Sequence, residues 1–512
     1  MCLKVIVFIS VLISLLVLQG VTLSQRHMWA DEVETVERAR SILDGGLPRL
    51  VDSENRISVN AAGKEIEDSN LHRYTPWLQF YTGALGLAVG KLVNSTDSDF
   101  WVRIPFVFFH SLSSAIIAVE FLPVSAGFKI VSGIFYGMSS VQFVHHRTAR
   151  YHALLELLFV FGLLALKYKK SWALWMAVPL VNTQTLSGLV ASGVLFCLKN
   201  SRIDFKNKKM FFDLIPIAVA VIGIAVLCRP WLQSAWGGLG RPQFDVLKDS
   251  MVWPGFLFAT VLVGLDYYFN RSKQFVMALV AFALGLFVMG AHPFSQGRYY
   301  IWISVLSLYL IGSIKIPKIK TEYVALFFIL MIEFLPPVER PFQSFRLVYT
   351  EFKWDQLGLK QPLRIVLDQI KNVDSQQSQP VLIEYVPQLA NWYLKNPIAL
   401  MPDKRMQNNL SADNKLYSET AEPYFHIWYT NYQQNWACHP QCDFIVEGND
   451  FAVGKSYNLV INSKNKKMKF CIDLALTTNQ WNNSPFMNLK TSALIPEGEA
   501  KGLMILAHHC PD

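Results

Sequence analysis

The sequence predicts an α-helical polytopic membrane protein that carries an α/β domain outside the cytoplasm after its last span. Three observations lead there. Of the 512 residues, 52% are hydrophobic and only 17% are charged, a balance too apolar for a water-soluble chain of this length. Apolar runs suited to membrane helices recur from residue 5 to residue 336, with short Lys and Arg clusters between them. Beyond them lie Cys438, Cys442, Cys471 and Cys510, an even set of the kind found in oxidising compartments. The net charge of +9 does not point to nucleic acid, because the cations fall between apolar runs and do not line one amphipathic face.

The runs cover 5–23, 101–122, 129–144, 151–166, 171–198, 211–228, 251–269, 275–291, 299–314 and 322–336. The first is read as an uncleaved spanning helix, since no small-x-small cleavage site precedes Ser24-Gln25-Arg26. With Lys4 in the cytoplasm, the inner connectors become those at Lys129, at Lys167/Lys169/Lys170, from Lys199 to Lys209, at Arg271/Lys273 and at Lys315/Lys318/Lys320, the excess that cytoplasmic loops carry. Basic clusters at both ends of 171–198 require an even number of crossings in a run too short for two full ones, so two thin or re-entrant helices are expected there. The total becomes about eleven spans by the length rule, and the C-terminus lies outside.

Residues 1–337 therefore form the membrane core, including the first external loop 24–99, and 338–512 form a soluble extracytoplasmic domain. In the loop, Asp31–Leu43 has Val33, Val36, Ala39 and Leu43 at helical spacing and is stopped by Gly45-Gly46 and Pro48; it should lie along the membrane surface. Val51–Asn70 is polar and irregular, and Trp77–Leu92 reads as an apolar interfacial helix. Beyond the last span, 381–385, 444–446 and 457–461 have strand length with turn-like flanks. The four late cysteines suit two disulfides; His439, His508 and His509 beside them leave metal binding as the rival reading.

Asp31-Glu32 places carboxylates just beyond the first span, where one could take a proton from an attacking hydroxyl or could simply cap a helix N-terminus. Glu156 lies about 9 Å inside the fourth span by helical rise, a costly position that demands a partner. Arg103 or Arg150 would serve, and the bond would hold a neighbouring site residue in place, ligate a metal or be purely structural. Arg229-Pro230-Trp231 through Trp236 to Pro242 is an external segment rich in Trp, Arg and Gly, either a lid over a head group or part of an aromatic belt.

The segment from Trp29 to Leu50, with Asp31-Glu32, a helix, Gly45-Gly46 and Pro48, resembles the first-loop signature of the GT-C superfamily of glycosyltransferases, which use polyprenyl-phosphate sugars. His72-Arg73-Tyr74-Thr75-Pro76-Trp77 is similar to that superfamily's basic-Pro-aromatic opening of an interfacial helix, and Trp101-Val102-Arg103-Ile104-Pro105 to its Val-Arg-Leu-Pro start of the second span. Arg150-Tyr151 and Arg298-Tyr299 look like the Arg-Tyr openings of its fourth span and of a late one. Lipid A aminoarabinose transferases and protein O-mannosyltransferases share this membrane core.

The resemblance implies an inverting transfer from a polyprenyl-phosphate-linked sugar to a lipid, glycan or protein acceptor, with Asp31, beside Glu32, as base. It makes Arg73, Arg103, Arg150 and Arg298 the candidates for the donor phosphate, whose developing charge cations would stabilise; for Arg150 and Arg298 interfacial snorkelling is the alternative. Glu156 would be a supporting second carboxylate. A divalent metal is possible. By the same resemblance the protein sits among the lipids of a bacterial inner membrane with its site in the periplasm, the lumenal side of the endoplasmic reticulum being the alternative. A transporter or flippase for a lipid-linked sugar is the competing class, but no repeat between its halves is visible. A noncatalytic scaffold would not need Asp31-Glu32.

Overall fold

The computed structural model describes residues 2–25, 28, 30–50, 70–73, 75–200, 208–229, 252–270, 273–290, 297–314, 320–334, 344–345, 348–349, 352, 362–376, 378–383, 392–394, 398–399, 417–418, 422–429, 444–448, 452–461, 466–477 and 503–510. They form two compact units, one of residues 1–23 and 73–349 and the other of 24–72 and 350–512.

The first unit is helical. Helix α1 (Cys2–Gly20) buries Val7, Val11, Leu15 and Gln19 at four-residue spacing, while Leu3, Ile6, Ile9, Ile13 and Val17 are exposed. An apolar residue on both faces suits a helix with protein on one side and lipid on the other. Among the described residues, Cys2–Gly20, Ser98–Phe121 and Met210–Cys228 are each long and apolar enough to cross a membrane, and Thr185–Lys199 and Lys273–Val288 are shorter apolar helices. This is the make-up of a membrane protein.

The amphipathic first-loop helix is α2 (Ala30–Gly45) and the interfacial one α3 (Leu78–Leu92). The second apolar run becomes α4 (Ser98–Ile116), continued by a π turn at Ile117–Phe121; Asp97 caps it, accepting from the Phe100 N–H at 3.0 Å. The 129–144 run, read as one element, is two: α5 (Ala126–Gly137) and α6 (Ser140–His146). The break follows Gly137, where α1 approaches so closely that a Cβ would collide with Leu15. The run 151–166 becomes α7 (His152–Lys167). The run 171–198, expected to hold two thin or re-entrant helices, is a 3-10 stretch (Ser171–Met176) leading into α8 (Ala177–Thr183), then α9 (Thr185–Lys199). They part at Gln184, whose backbone is extended and whose side chain accepts from the Ser187 N–H at 2.6 Å. Then follow α10 (Lys208–Cys228), α11 (Trp253–Asn270), α12 (Lys273–Gly290), α13 (Ile303–Ser313) and α14 (Thr321–Phe334).

One end of this bundle gathers groups that the charge rule put on one side. Glu120 pairs with Lys4 at 3.1 Å and with Lys167 at 3.1 Å and accepts a hydrogen bond from the Tyr168 hydroxyl, while Lys129 donates to the Val119 carbonyl at 2.9 Å. The bond to Glu120 pushes the Tyr168 hydroxyl above the ordinary phenol range. At the other end Arg147 donates to the Gln19 carbonyl at 3.0 Å and to Thr22 Oγ1 at 2.9 Å, and Arg103 to the Leu23 carbonyl at 2.8 Å. Both arginines thus satisfy carbonyls left over at the end of α1.

Helix α3 meets α4 through Gly86 and Gly90, small residues four apart on one face. A Cβ at Gly86 would run into the Trp101 carbonyl and come within 2.9 Å of Pro105, and one at Gly90 would lie 2.6 Å from the Trp101 ring. Gly86→Leu is therefore expected to destabilise the helix pair by about 1–3 kcal/mol or more; an unchanged melting temperature of the purified protein in detergent would count against this close packing.

The second unit holds α2, α15 (Pro362–Val373) and an 8-stranded mixed sheet in the order β3-β2-β1-β4-β8-β7-β6-β5. Strands β1 (Val381–Ile383), β2 (Ile398–Ala399), β3 (Tyr417–Ser418) and β4 (Phe425–Tyr429) pair parallel with one another. The remaining strands, β5 (Phe444–Glu447), β6 (Ser456–Ile461), β7 (Lys466–Thr477) and β8 (Leu503–His509), pair antiparallel, β8 also with β4. The α/β expectation and its three strand positions are met. Leu382, Tyr457, Leu459, Met468, Phe470 and Ile505 form its core. Cys471, in the middle of β7, and Cys510, just past the end of the neighbouring β8, form a disulfide with Cα atoms 5.6 Å apart; Cys438, Cys442 and His439 lie outside the described residues.

Candidate functional site

Asp31 and Glu32 stand in the first turn of α2. The helix is buried on more faces than an amphipathic surface helix would be: beside Val33, Val36 and Ala39, the polar residues Glu32, Glu34, Thr35, Arg38 and Ser41 are also buried. Leu43, expected on its apolar face, is exposed and Ile42 is buried instead. Contacts from the rest of its unit reach the helix and the residue just before it. The Met28 N–H donates to the Tyr393 hydroxyl at 2.8 Å, and the Arg40 guanidinium lies 4.6 Å from the centre of the Trp392 ring.

A buried charge chain fixes the same helix. Arg38 Nε donates to His72 Nδ1 at 3.1 Å, so the His72 proton sits on Nε2, which faces Glu34 Oε1 at 3.7 Å. Arg38 also reaches Glu37 at 3.5 Å. His72 was read only as the start of a basic motif; its tie to α2 follows from an isolated bridge between Arg49 and Leu71 that folds the loop back.

The candidate arginines belong to the first unit. Arg73 donates to the Leu227 carbonyl at 2.8 Å and Arg103 to Leu23 as described. The two Arg-Tyr motifs, far apart in sequence, meet: the Tyr151 and Tyr299 rings pack edge to face at 5.5 Å, with the Arg150 guanidinium 5.1 Å from the Tyr151 ring and that of Arg298 5.8 Å from the Tyr299 ring. The His152 ring lies against Tyr151 at 4.4 Å and against His145 at 5.1 Å. Each guanidinium thus lies beside one of two touching tyrosine rings, and a guanidinium is a group that can receive an anionic oxygen. The Trp- and Arg-rich segment 229–242 lies outside the described residues beyond Arg229.

Glu156 is fully buried and has partners, as its depth required, but they are not Arg103 or Arg150. His110 Nδ1 stands 3.3 Å from its Oε1 and His146 Nε2 2.8 Å from its Oε2. The two imidazole rings are stacked, 4.1 Å between centres and 3° from parallel. Both histidines escaped the sequence reading. His110 stands alone within the run 101–122, on α4, and His146 follows His145 just past the run 129–144, on α6; only the fold brings them to α7.

A helical bundle with lipid-facing apolar surface, combined with a second unit built on a mixed sheet and an inserted first-loop helix, defines the class: a polytopic membrane protein with a large appended domain. The chain has the fold of ArnT from Cupriavidus metallidurans. The crystal structure of that protein in the apo state aligns with a TM-score of 0.50 at 12% sequence identity, covering 87% of this chain and 96% of that chain. Its crystal structure bound to undecaprenyl phosphate aligns with a TM-score of 0.45 at 13% identity over the same shares. An ArnT-like fold agrees with the resemblance that the first-loop signature carried. No protein-family model matches the sequence, and no curated protein matches it.

Proposed function

We propose that this protein is a membrane glycosyltransferase that moves a sugar, hexosyl or pentosyl, from a polyprenyl-phosphate donor to a lipid A, glycan or protein acceptor outside the cytoplasm. The observation that carries the reading is an ArnT-like fold across 87% of the chain in which the first-loop Asp31-Glu32 pair opens a buried helix. Fold alone does not fix chemistry; the residues add to it. In this reading Asp31 is the base that takes the acceptor proton, with Glu32 beside it, as the acceptor oxygen attacks the anomeric carbon and the polyprenyl phosphate leaves with inversion. Arg73, Arg103, Arg150 and Arg298 neutralise the departing phosphate; Arg150 and Arg298 stand beside the touching Tyr151 and Tyr299 rings.

The reading includes about eleven spans by the length rule, a division at residues 337/338 between membrane core and soluble domain, and a site and C-terminus on the periplasmic face of a bacterial inner membrane. Its test is mass spectrometry of envelope lipids, glycans and glycoproteins from cells with and without the protein. Loss of one sugar mass from a single fraction is expected, and it identifies both the group and the acceptor. Unchanged profiles in all fractions, or a lipid-linked sugar retained on the cytoplasmic leaflet, would replace a transferase with a transporter or a bystander.

A further inference from the structure

We propose that His110, His146 and Glu156 form a binding site for one divalent transition metal ion of the zinc type. The three residues come from α4, α6 and α7, are all buried, and offer one ligand atom each, all within 4.8 Å of one another. Two imidazoles and one carboxylate, with a fourth position open, is a donor set that zinc accepts.

The hydrogen bonds around the rings decide the question. His110 Nε2 lies 3.1 Å from the Gly137 carbonyl and His146 Nδ1 2.7 Å from the Gln142 carbonyl. A carbonyl only accepts, so each of these nitrogens carries the proton. In neutral rings the other nitrogens, His110 Nδ1 and His146 Nε2, are then bare lone pairs, and both face the Glu156 carboxylate, which also only accepts. His146 Nε2 and Glu156 Oε2 are buried and in contact at 2.8 Å without the alignment of a hydrogen bond. Such opposed acceptors need a cation between them.

Protons fill the gap poorly. One added proton satisfies one ring and leaves the other facing the carboxylate. Two would put two imidazolium charges face to face, 4.1 Å apart, where they repel. A single metal ion satisfies all three acceptors once the rings turn out of their stack so that each in-plane lone pair points at it; the separation of 3.3 Å between His110 Nδ1 and Glu156 Oε1 already matches the edge of a tetrahedron with bonds of about 2.0–2.1 Å, and the 2.8 Å between His146 Nε2 and Glu156 Oε2 opens to reach it. The outer partners are those of metal-bound imidazoles, whose second nitrogen donates to a backbone carbonyl.

The site would also act as a clasp. The Gly137 carbonyl that holds His110 also accepts from Gln19 on α1 at 2.8 Å, and the Gln142 side chain donates to Ser304 on α13 at 2.7 Å. A bound ion would therefore brace α1, α4, α5, α6, α7 and α13 together.

The test uses the full-length protein purified in detergent, any polyhistidine tag removed, and reads metal content rather than transfer. Wild-type protein is expected to hold about one zinc per chain, and the chelator-stripped protein to take up Co2+ with the intense visible bands of a low-coordinate site and to regain its melting temperature on adding Zn2+. His110→Asn, His146→Asn and Glu156→Gln should each lower zinc affinity at least about tenfold. Wild-type protein that carries no transition metal and gives no such Co2+ spectrum would overturn the proposal. So would triad variants that fold and retain zinc. Because wild-type protein alone decides the first outcome, misfolding of a variant does not protect the idea.

Discussion

Asp31→Asn is expected to lower kcat of sugar transfer about 10²–10⁴-fold, the share that a positioned general base contributes, with KM for the lipid-linked donor little changed. Asn keeps the size of the side chain and its place in the first turn of α2 but cannot accept a proton. The loss therefore falls on the chemical step. Glu32→Gln supplies the comparison: Glu32 is buried, so its change should cost stability more than it costs turnover. A folded Asp31→Asn protein with wild-type kcat would remove Asp31 from the mechanism, and a loss found only with Glu32→Gln would transfer the role to its neighbour. Steady-state kinetics with a synthetic polyprenyl-phosphate sugar, alongside thermal denaturation of each variant, distinguishes these cases.

Much of the architecture was legible because a bilayer imposes few rules and enforces them. Lengths and charge placement located the helices, including the broken pair within 171–198, since a short run flanked by lysines has few physical solutions. Strand positions at 381–383, 444–447 and 456–461 were legible because short β-branched and aromatic runs between turn residues have few alternatives. Pairing of Cys471 with Cys510 was not, because four cysteines allow several connectivities.

Long-range polar contacts were hidden for a different reason. His110, His146 and Glu156 lie on three helices, and no periodicity within one helix reports what another brings opposite it. Glu156 could be recognised as needing a partner from its depth alone; an arginine was the natural guess for a carboxylate, yet the nearby arginines Arg103 and Arg147 are engaged with carbonyls at the end of α1. The meeting of Arg150-Tyr151 with Arg298-Tyr299 was likewise invisible, although each motif was legible alone.

The charge chain on α2 gives the largest expected effect on stability. Arg38 is 1% exposed, and its guanidinium faces His72 and Glu37, with Glu34 beyond the imidazole. Arg38→Met keeps much of the volume and removes the charge, leaving buried carboxylates without their cation. Breaking a buried ion pair from one side costs about 3–5 kcal/mol, because the remaining charge loses its partner but does not regain water. A melting temperature lowered well below wild type is the expected result, and limited proteolysis should show earlier cleavage around residues 30–72. The double variant Arg38→Met with Glu34→Gln should recover part of the loss, since it removes one stranded charge together with the cation; that coupling is what a double-mutant cycle measures. Strictly additive losses would show that Arg38 and Glu34 do not communicate through His72. Because α2 also carries Asp31, the single variant should lose transfer activity even at temperatures where it remains folded, whereas a rigid helix indifferent to its buried charges would keep it.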